Sequence, residues 1–286
     1  MSRTTPHPDE PQDDADEPHG VDGAKLHVAD LELGYPGLDE PVVDTETLVV
    51  PEGEVTALVG PNGSGKSTLL NGLARHLEPD AGEVLLDGRE IATYDSKEFA
   101  RELGMLAQQN TAPDGLTVEE LVHHGRYPHK GFLEGRTESD EAAVERAIDL
   151  AGVEDLRETE LGQLSGGQRQ LVWIAMALAQ ETDTLLLDEP TTYLDLRHQL
   201  RVMDVIRTLN EERGVTVCVV LHDITQAARF ADYLVALKDG AVHDWGRPAD
   251  VVSEDLLAEV FGVDAAVEYG TEPVITPRRA LDDADV

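Results

Sequence analysis

The sequence predicts an α/β fold, and three stretches carry that expectation. Val55-Thr56-Ala57-Leu58-Val59 is an apolar, strand-like run that passes through Gly60-Pro61-Asn62-Gly63-Ser64-Gly65-Lys66-Ser67-Thr68 into the helical pattern Leu69-Leu70-Asn71-Gly72-Leu73-Ala74. Thr184-Leu185-Leu186-Leu187 and Val215-Thr216-Val217-Cys218-Val219-Val220-Leu221 are continuous apolar runs of the kind that form parallel strands buried on both faces. Helical patterns separate these runs, which is the alternation an α/β sheet requires. In the first stretch the glycines let successive backbone N–H groups converge on one anion, and the helix beginning near Lys66 adds its positive dipole end. Strand, glycine-rich loop and helix in that order form a phosphate-binding loop, so this is a nucleotide site.

The other elements follow in chain order. Residues 1–23 carry Pro6, Pro8, Pro11, Pro18 and many carboxylates with little to bury, and read as a disordered acidic tail. Ordered sequence begins near Lys25, with strand-like alternation through Leu26, Val28, Leu31 and Leu33. A second strand runs through Val42-Val43 and Leu48-Val50. Tyr35, in the turn Gly34-Tyr35-Pro36-Gly37, can stack on a base or pack the turn. A turn at Glu78–Glu83 leads to the strand Val84–Leu86, and Ser96–Leu103 reads as a helix. Met105-Leu106-Ala107-Gln108-Gln109 is a strand edge entering a polar loop. Thr117 with Glu120 fits a capping box, and Ser139–Ala151 is an amphipathic helix stopped at Gly152. His123, His124 and His129 lack a carboxylate or cysteine set at ligand spacing and read as polar surface residues.

Leu164-Ser165-Gly166-Gly167-Gln168 precedes a helix expected over Leu171–Gln180. Ser165 and Gln168 again fit a capping box, while the paired glycines leave bare N–H groups that favour an approaching phosphate. The buried run Leu185–Leu187 ends on Asp188-Glu189, two carboxylates that are costly at a buried strand end unless metal or chemistry uses them. A helix follows over Arg197–Arg213. The strand Val215–Leu221 ends in His222-Asp223, another strand lies near Leu234–Leu237, and a last helix starts after Ser253. The remaining tail is acidic, with the basic pair Arg278-Arg279.

Composition narrows the partners. The 286 residues suffice for one large or two small domains. With 58 acidic against 22 basic residues, the formal net charge of −36 opposes direct binding to nucleic acid and to anionic membrane surfaces. Lys25, Lys66, Lys97, Lys130 and Lys238 are the only lysines, and an acidic, lysine-poor surface suits a halophile's cytoplasm, where salt at 1 M screens charge within about 3 Å. Cys218 sits alone in an apolar run and reads as core. No signal peptide is visible, and the longest uncharged apolar run, Leu171–Ala179, is far shorter than the ~20 residues that span a bilayer, so the chain is expected to be soluble and intracellular.

Taken together, these stretches resemble the nucleotide-binding subunit of an ATP-binding cassette (ABC) transporter over roughly Leu26–Val263, in order and spacing. Walker A is Gly60–Ser67, Gln108 falls at the Q-loop and Leu164–Gln168 is the signature. Walker B is Leu185–Glu189, the D-loop is Tyr193-Leu194-Asp195 and His222 is the switch histidine. The resemblance implies a P-loop NTPase core with a mixed sheet, an antiparallel β subdomain and an inserted α-helical subdomain. The domain would span residues 24–265, with helices at about 110–180 and an acidic tail over 266–286. It also reweights Tyr35 toward stacking on adenine. Gly125-Arg126-Tyr127-Pro128-His129, Thr191–Asp195 and Leu221–Ala227 are similar to the ferric-siderophore and cobalamin importer branch, and Tyr193 favours ferric siderophore over cobalamin.

The resemblance further implies a cofactor, ATP with Mg²⁺, and a mechanism. Two cassettes face each other head to tail as a homodimer. One supplies Gly60–Thr68 (Lys66 and Ser67 among them), Asp188 and Glu189, and the other supplies Ser165, Gly166, Gly167 and Gln168, with Asp195 also among the residues expected to bind the nucleotide. Ser67, Asp188 and Gln108 would serve the metal, Glu189 would activate water, and His222 would contact the γ-phosphate. Partners would be transmembrane permease subunits and, through the complex, an extracellular substrate-binding protein, with the cassette peripheral on the cytoplasmic face of the membrane. Cobalamin or haem import and a soluble non-transport cassette ATPase are the alternatives.

Overall fold

The computed structural model describes residues 23–38, 40–129, 135–270 and 273–281. The expected N-terminal tail lies outside them but for Gly23. The first half of the chain gives β1 (Ala24–Leu33), β2 (Val43–Pro51), β3 (Val55–Val59), α1 (Lys66–Leu73), β4 (Ala81–Leu86), β5 (Arg89–Glu90), α2 (Ser96–Glu102), β6 (Leu103–Leu106), α3 (Val118–His124) and α4 (Glu138–Ala151). The second half gives α5 (Gly166–Leu178), β7 (Thr184–Asp188), α6 (Leu196–Arg213), β8 (Thr216–Val220), α7 (Ile224–Phe230), β9 (Tyr233–Lys238), β10 (Ala241–Gly246), α8 (Pro248–Val251), α9 (Glu254–Glu259), β11 (Val263–Glu268) and β12 (Val274–Ala280).

The core sheet has the order β10-β9-β3-β8-β7-β6, parallel except for β10 at one edge. Every residue of β3, β7 and β8 is buried, which is why those runs lack the apolar–polar alternation of a half-exposed strand. Parallel pairing places the C-terminal ends of β3, β8, β7 and β6 along one edge, where open α/β sheets bind ligands. The mixed sheet is as the sequence implies.

An antiparallel sheet, β2-β1-β4-β5, forms the β subdomain. In β1 the buried side switches parity between Val28 and Leu31. A bulge against β4 accounts for this, with Asp30 at φ 48° and register lost between Ala29 and Glu32.

Helices α3, α4 and α5 pack together as the helical subdomain. Its hub is Arg126, whose side chain is buried. The Arg126 guanidinium donates to Asp140 Oδ1 (3.0 Å), the Ala179 carbonyl (2.7 Å) and Glu181 Oε2 (3.0 Å). A Cβ on Gly125 would sit 2.1 Å from the Met176 carbonyl oxygen, and His129 Nε2 lies 2.6 Å from the Gln180 carbonyl oxygen. Residues 125–129 therefore tie the end of α3 to α4 and to the chain after α5. Only Tyr127 of that stretch is strongly exposed.

The structure corrects three expectations. His123 is buried, with Nε2 at 3.3 Å from Glu141 Oε2, and Glu119 lies one turn back on α3. Glu119 and His123 share a helix face at i, i+4, and the packing of α4 brings Glu141 to them. The helix after the signature begins at Gly166, so the glycine pair is its first turn. The segment expected as an acidic tail from 266 holds the end of β11 and all of β12, which pair antiparallel from Val263↔Ala280 to Glu268↔Val274. Val274-Ile275-Thr276 supplies β-branched residues, and Arg278 and Arg279 both reach Asp264.

Candidate functional site

The glycine-rich loop leaves the end of β3 and turns into α1. Gly60 has φ 148°, and a Cβ there would lie 2.2 Å from the Leu237 carbonyl oxygen at the end of β9. Any side chain would push the loop off the sheet edge, so glycine is required by close approach as well as by conformation. Lys66 is buried, and its Nζ donates to the Gly60 (2.9 Å) and Pro61 (2.7 Å) carbonyls and to Ser64 Oγ (3.3 Å). Burial pushes the Lys66 ammonium below the usual lysine range, with Glu189 and Asp188 opposing that shift.

Asp188 ends β7 beneath the loop. Ser67 Oγ donates to its Oδ1 across 2.9 Å. Burial raises the Asp188 carboxyl above its ordinary range and Glu189 raises it further, against the Ser67 hydrogen bond and the Lys66 charge. Two hard oxygen donors about 2.9 Å apart match adjacent ligands of an octahedral Mg²⁺ at about 2.0–2.1 Å, so this donor set fits that ion.

Glu189 is where the separate motifs meet. Its backbone is left-handed, φ 50°, a conformation uncommon outside glycine that clusters at functional sites. Gln108 Nε2 donates to Oε2 across 2.6 Å, His222 Nε2 lies 2.6 Å from Oε1, and Thr192 Oγ1 donates to Oε2 across 3.1 Å. Gln108, rather than its neighbour Gln109, makes this contact. Its amide is turned to Glu189 and not to Asp188. A groove of about 180 Å³ lies over the loop, lined by Asn62, Gly63, Gly65, Lys66, Glu189 and His222 among others. The arrangement can cradle a polyphosphate and hold a base, a histidine and a hard cation around its end.

Tyr35 is half exposed beside α1, its hydroxyl 3.4 Å from Thr68 Oγ1. The signature does not join this groove. Ser165 caps α5 by accepting from the Gln168 N–H (3.3 Å) while Gln168 Oε1 accepts from the Ser165 N–H (3.0 Å), and none of residues 165–168 lines the phosphate groove. Asp195 is likewise apart, capping α6, and the His198 backbone N–H and imidazole hold its carboxyl below the usual range. Sequence reasoning missed Thr192 and His198. Their spacing of three residues after Glu189 and after Asp195 was the available signal.

A family model described as ABC transporter matches residues 43–192. The chain is 49% identical over 237 residues to the probable siderophore transport system ATP-binding protein YusV of Bacillus subtilis (strain 168), covering 83% of this chain and 86% of that one. It is 45% identical over 240 residues to the ferric enterobactin transport ATP-binding protein FepC of Escherichia coli (strain K12), covering 84% and 88%. Among solved structures, an inward-facing metal-chelate type ABC transporter superposes with TM-score 0.76 at 26% identity, covering 90% of this chain and 98% of that one. The dimeric structure of a bacterial ABC transporter cassette superposes with TM-score 0.69 at 32% identity, covering 78% and 98%.

Proposed function

This chain belongs to the ABC transporter family, and on that premise we propose that it is the ATP-hydrolysing subunit of an importer of ferric siderophores, working as a homodimer on a separate permease. The observation that carries the enzymatic reading is the convergence of Gln108, Thr192 and His222 on the Glu189 carboxylate, beside Lys66, Ser67 and Asp188. In this reading the P-loop N–H groups and Lys66 bind the phosphates of ATP, and Tyr35 stacks on adenine. Ser67 and Asp188 would hold Mg²⁺, which would supply positive charge against the triphosphate. Glu189 takes the proton of the attacking water at a carboxylate oxygen, and His222 and Gln108 fix that carboxylate's orientation.

Dimerisation is supported by the signature's separation from the phosphate groove within one chain, and by the likeness to a dimeric cassette. No described helix is long and apolar enough to cross a membrane. In this reading the transport path belongs to other chains and this one is peripheral at the membrane's cytoplasmic face, a reading supported by its likeness to ATP-binding proteins of transport systems. The cargo rests on the siderophore relatives. Tyr127 and Tyr193 are both strongly exposed. A substrate-binding protein outside the cell would deliver the cargo, and the net charge of −36 suits a cytoplasm rich in salt.

The test is reconstitution. Proteoliposomes holding the chain with its permease should take up ferric siderophore when given Mg-ATP, and Lys66→Ala should abolish uptake. Stimulation of turnover by a cobalamin-loaded binding protein alone would move the cargo to cobalamin while leaving the ATPase reading in place.

A further inference from the structure

We infer that His198 is a positioning residue that locks the start of signature helix α5 to the D-loop of the same chain, so that one ATP site senses the other. This inference rests on the proposed composite dimer. His198 is held at two points by Asp195, whose Oδ1 accepts from the His198 backbone N–H (3.0 Å) and lies 2.8 Å from Nδ1. The imidazole so fixed lies against Gly167. A Cβ on Gly167 would fall 2.4 Å from both Cγ and Cδ2 of the ring and 2.8 Å from Nε2.

The two signature glycines are thereby distinguished. Neither has a left-handed backbone, and a Cβ on Gly166 would meet nothing within 4 Å. Inside this chain Gly166 is free to face another molecule, whereas Gly167 is glycine because the ring occupies the space of its side chain. A methyl group there would have to move either the ring, which Asp195 restrains, or the first turn of α5. Gln168 and His198 border the same groove, of about 910 Å³, between α5 and α6.

The contact continues to the catalytic base. Gln199 Nε2, one residue on, donates to the Thr191 (3.4 Å) and Leu194 (3.2 Å) carbonyls, and Thr192 Oγ1 donates to Glu189. The first turn of α6 thus grips the loop after Glu189 with one side chain and the signature with the next. In the proposed dimer Glu189 serves this chain's ATP and the signature serves the partner's. A shift of the Glu189 loop would then be transmitted to the signature through His198.

The experiment measures ATP-dependent dimerisation by sedimentation on a Glu189→Gln background, together with the affinity of the monomer for a fluorescent ATP analogue. His198→Ala should raise the dimer dissociation constant on the order of tenfold, the size of a contact-pair coupling, with monomer affinity unchanged within about twofold. His198→Asn keeps a donor toward Asp195 but withdraws the ring, and should behave as His198→Ala does. Gly167→Ala should weaken the dimer on its own, yet add less than about twofold once His198 is alanine, because the two changes act on one contact. Parental dimerisation in His198→Asn, multiplicative effects in the double variant, or a matching loss of monomer affinity would each overturn the inference and leave the proposed function standing. Failure of the Glu189→Gln parent itself to dimerise with ATP would overturn both.

Discussion

Gln108 Nε2 donates to Glu189 Oε2 across 2.6 Å, joining residues 81 positions apart at the ends of neighbouring parallel strands β6 and β7. With His222 on the other oxygen, the carboxylate is held from both sides. Glu189→Gln keeps the shape of the side chain but cannot take a proton. It should lower hydrolysis by ~10²–10⁴, the usual worth of a general base, with ATP binding retained. Turnover of purified protein with Mg-ATP checks this, and a wild-type rate removes Glu189 as the base.

Two incomplete cassettes should complement one another. Lys66→Ala and Ser165→Arg proteins, each on a Glu189→Gln background, should fail to form an ATP-dependent dimer alone. Mixed, the intact loop of one faces the intact signature of the other, and one good site returns. Sedimentation of the mixture with ATP should show partial recovery. Absence of any rescue would mean that Ser165 and Gln168 only cap their own helix, as their reciprocal hydrogen bonds allow.

The Arg126–Asp140 pair makes a prediction about stability and acid. Burial alone would raise the Asp140 carboxyl, but hydrogen bonds from Thr137 and Arg126 outweigh it and bring it down to about 2 from an ordinary 3.8. A carboxyl depressed by folding adds stability above its unfolded value and loses it as pH falls toward the folded one. Asp140→Ala should therefore cost about 2–4 kcal/mol at neutral pH, through loss of a buried charge partner. The gap to wild type should narrow between about pH 4 and pH 2. Thermal melts of both proteins across that range test it, and a gap independent of pH would contradict it.

Salt should stabilise the fold. With a net charge of −36, repulsion among carboxylates opposes compaction until counter-ions screen it within about 3 Å at 1 M. The melting temperature should climb with KCl into the molar range. A flat or falling curve would remove the high-salt reading and leave the ATPase assignment untouched.

The sequence by itself determined whatever is local. The bend of the phosphate loop, the caps Thr117–Glu120 and Ser165–Gln168, and the burial of the β7 and β8 runs all depend on residues a few positions apart, and backbone geometry and hydrophobic pattern encode them directly. Gln108, Glu189 and His222 were legible as separate motifs. Only strand order, β8-β7-β6 in parallel register, decided that they meet on one carboxylate. The same holds for His123, which is buried and meets Glu141 of α4 at 3.3 Å, and for residues 125–129, which hold the helical subdomain together. Gly167 is the clearest case. Its neighbourhood in the chain suggested a phosphate, and α6 placed an imidazole against it, because contacts between elements follow from packing that no spacing along the chain records.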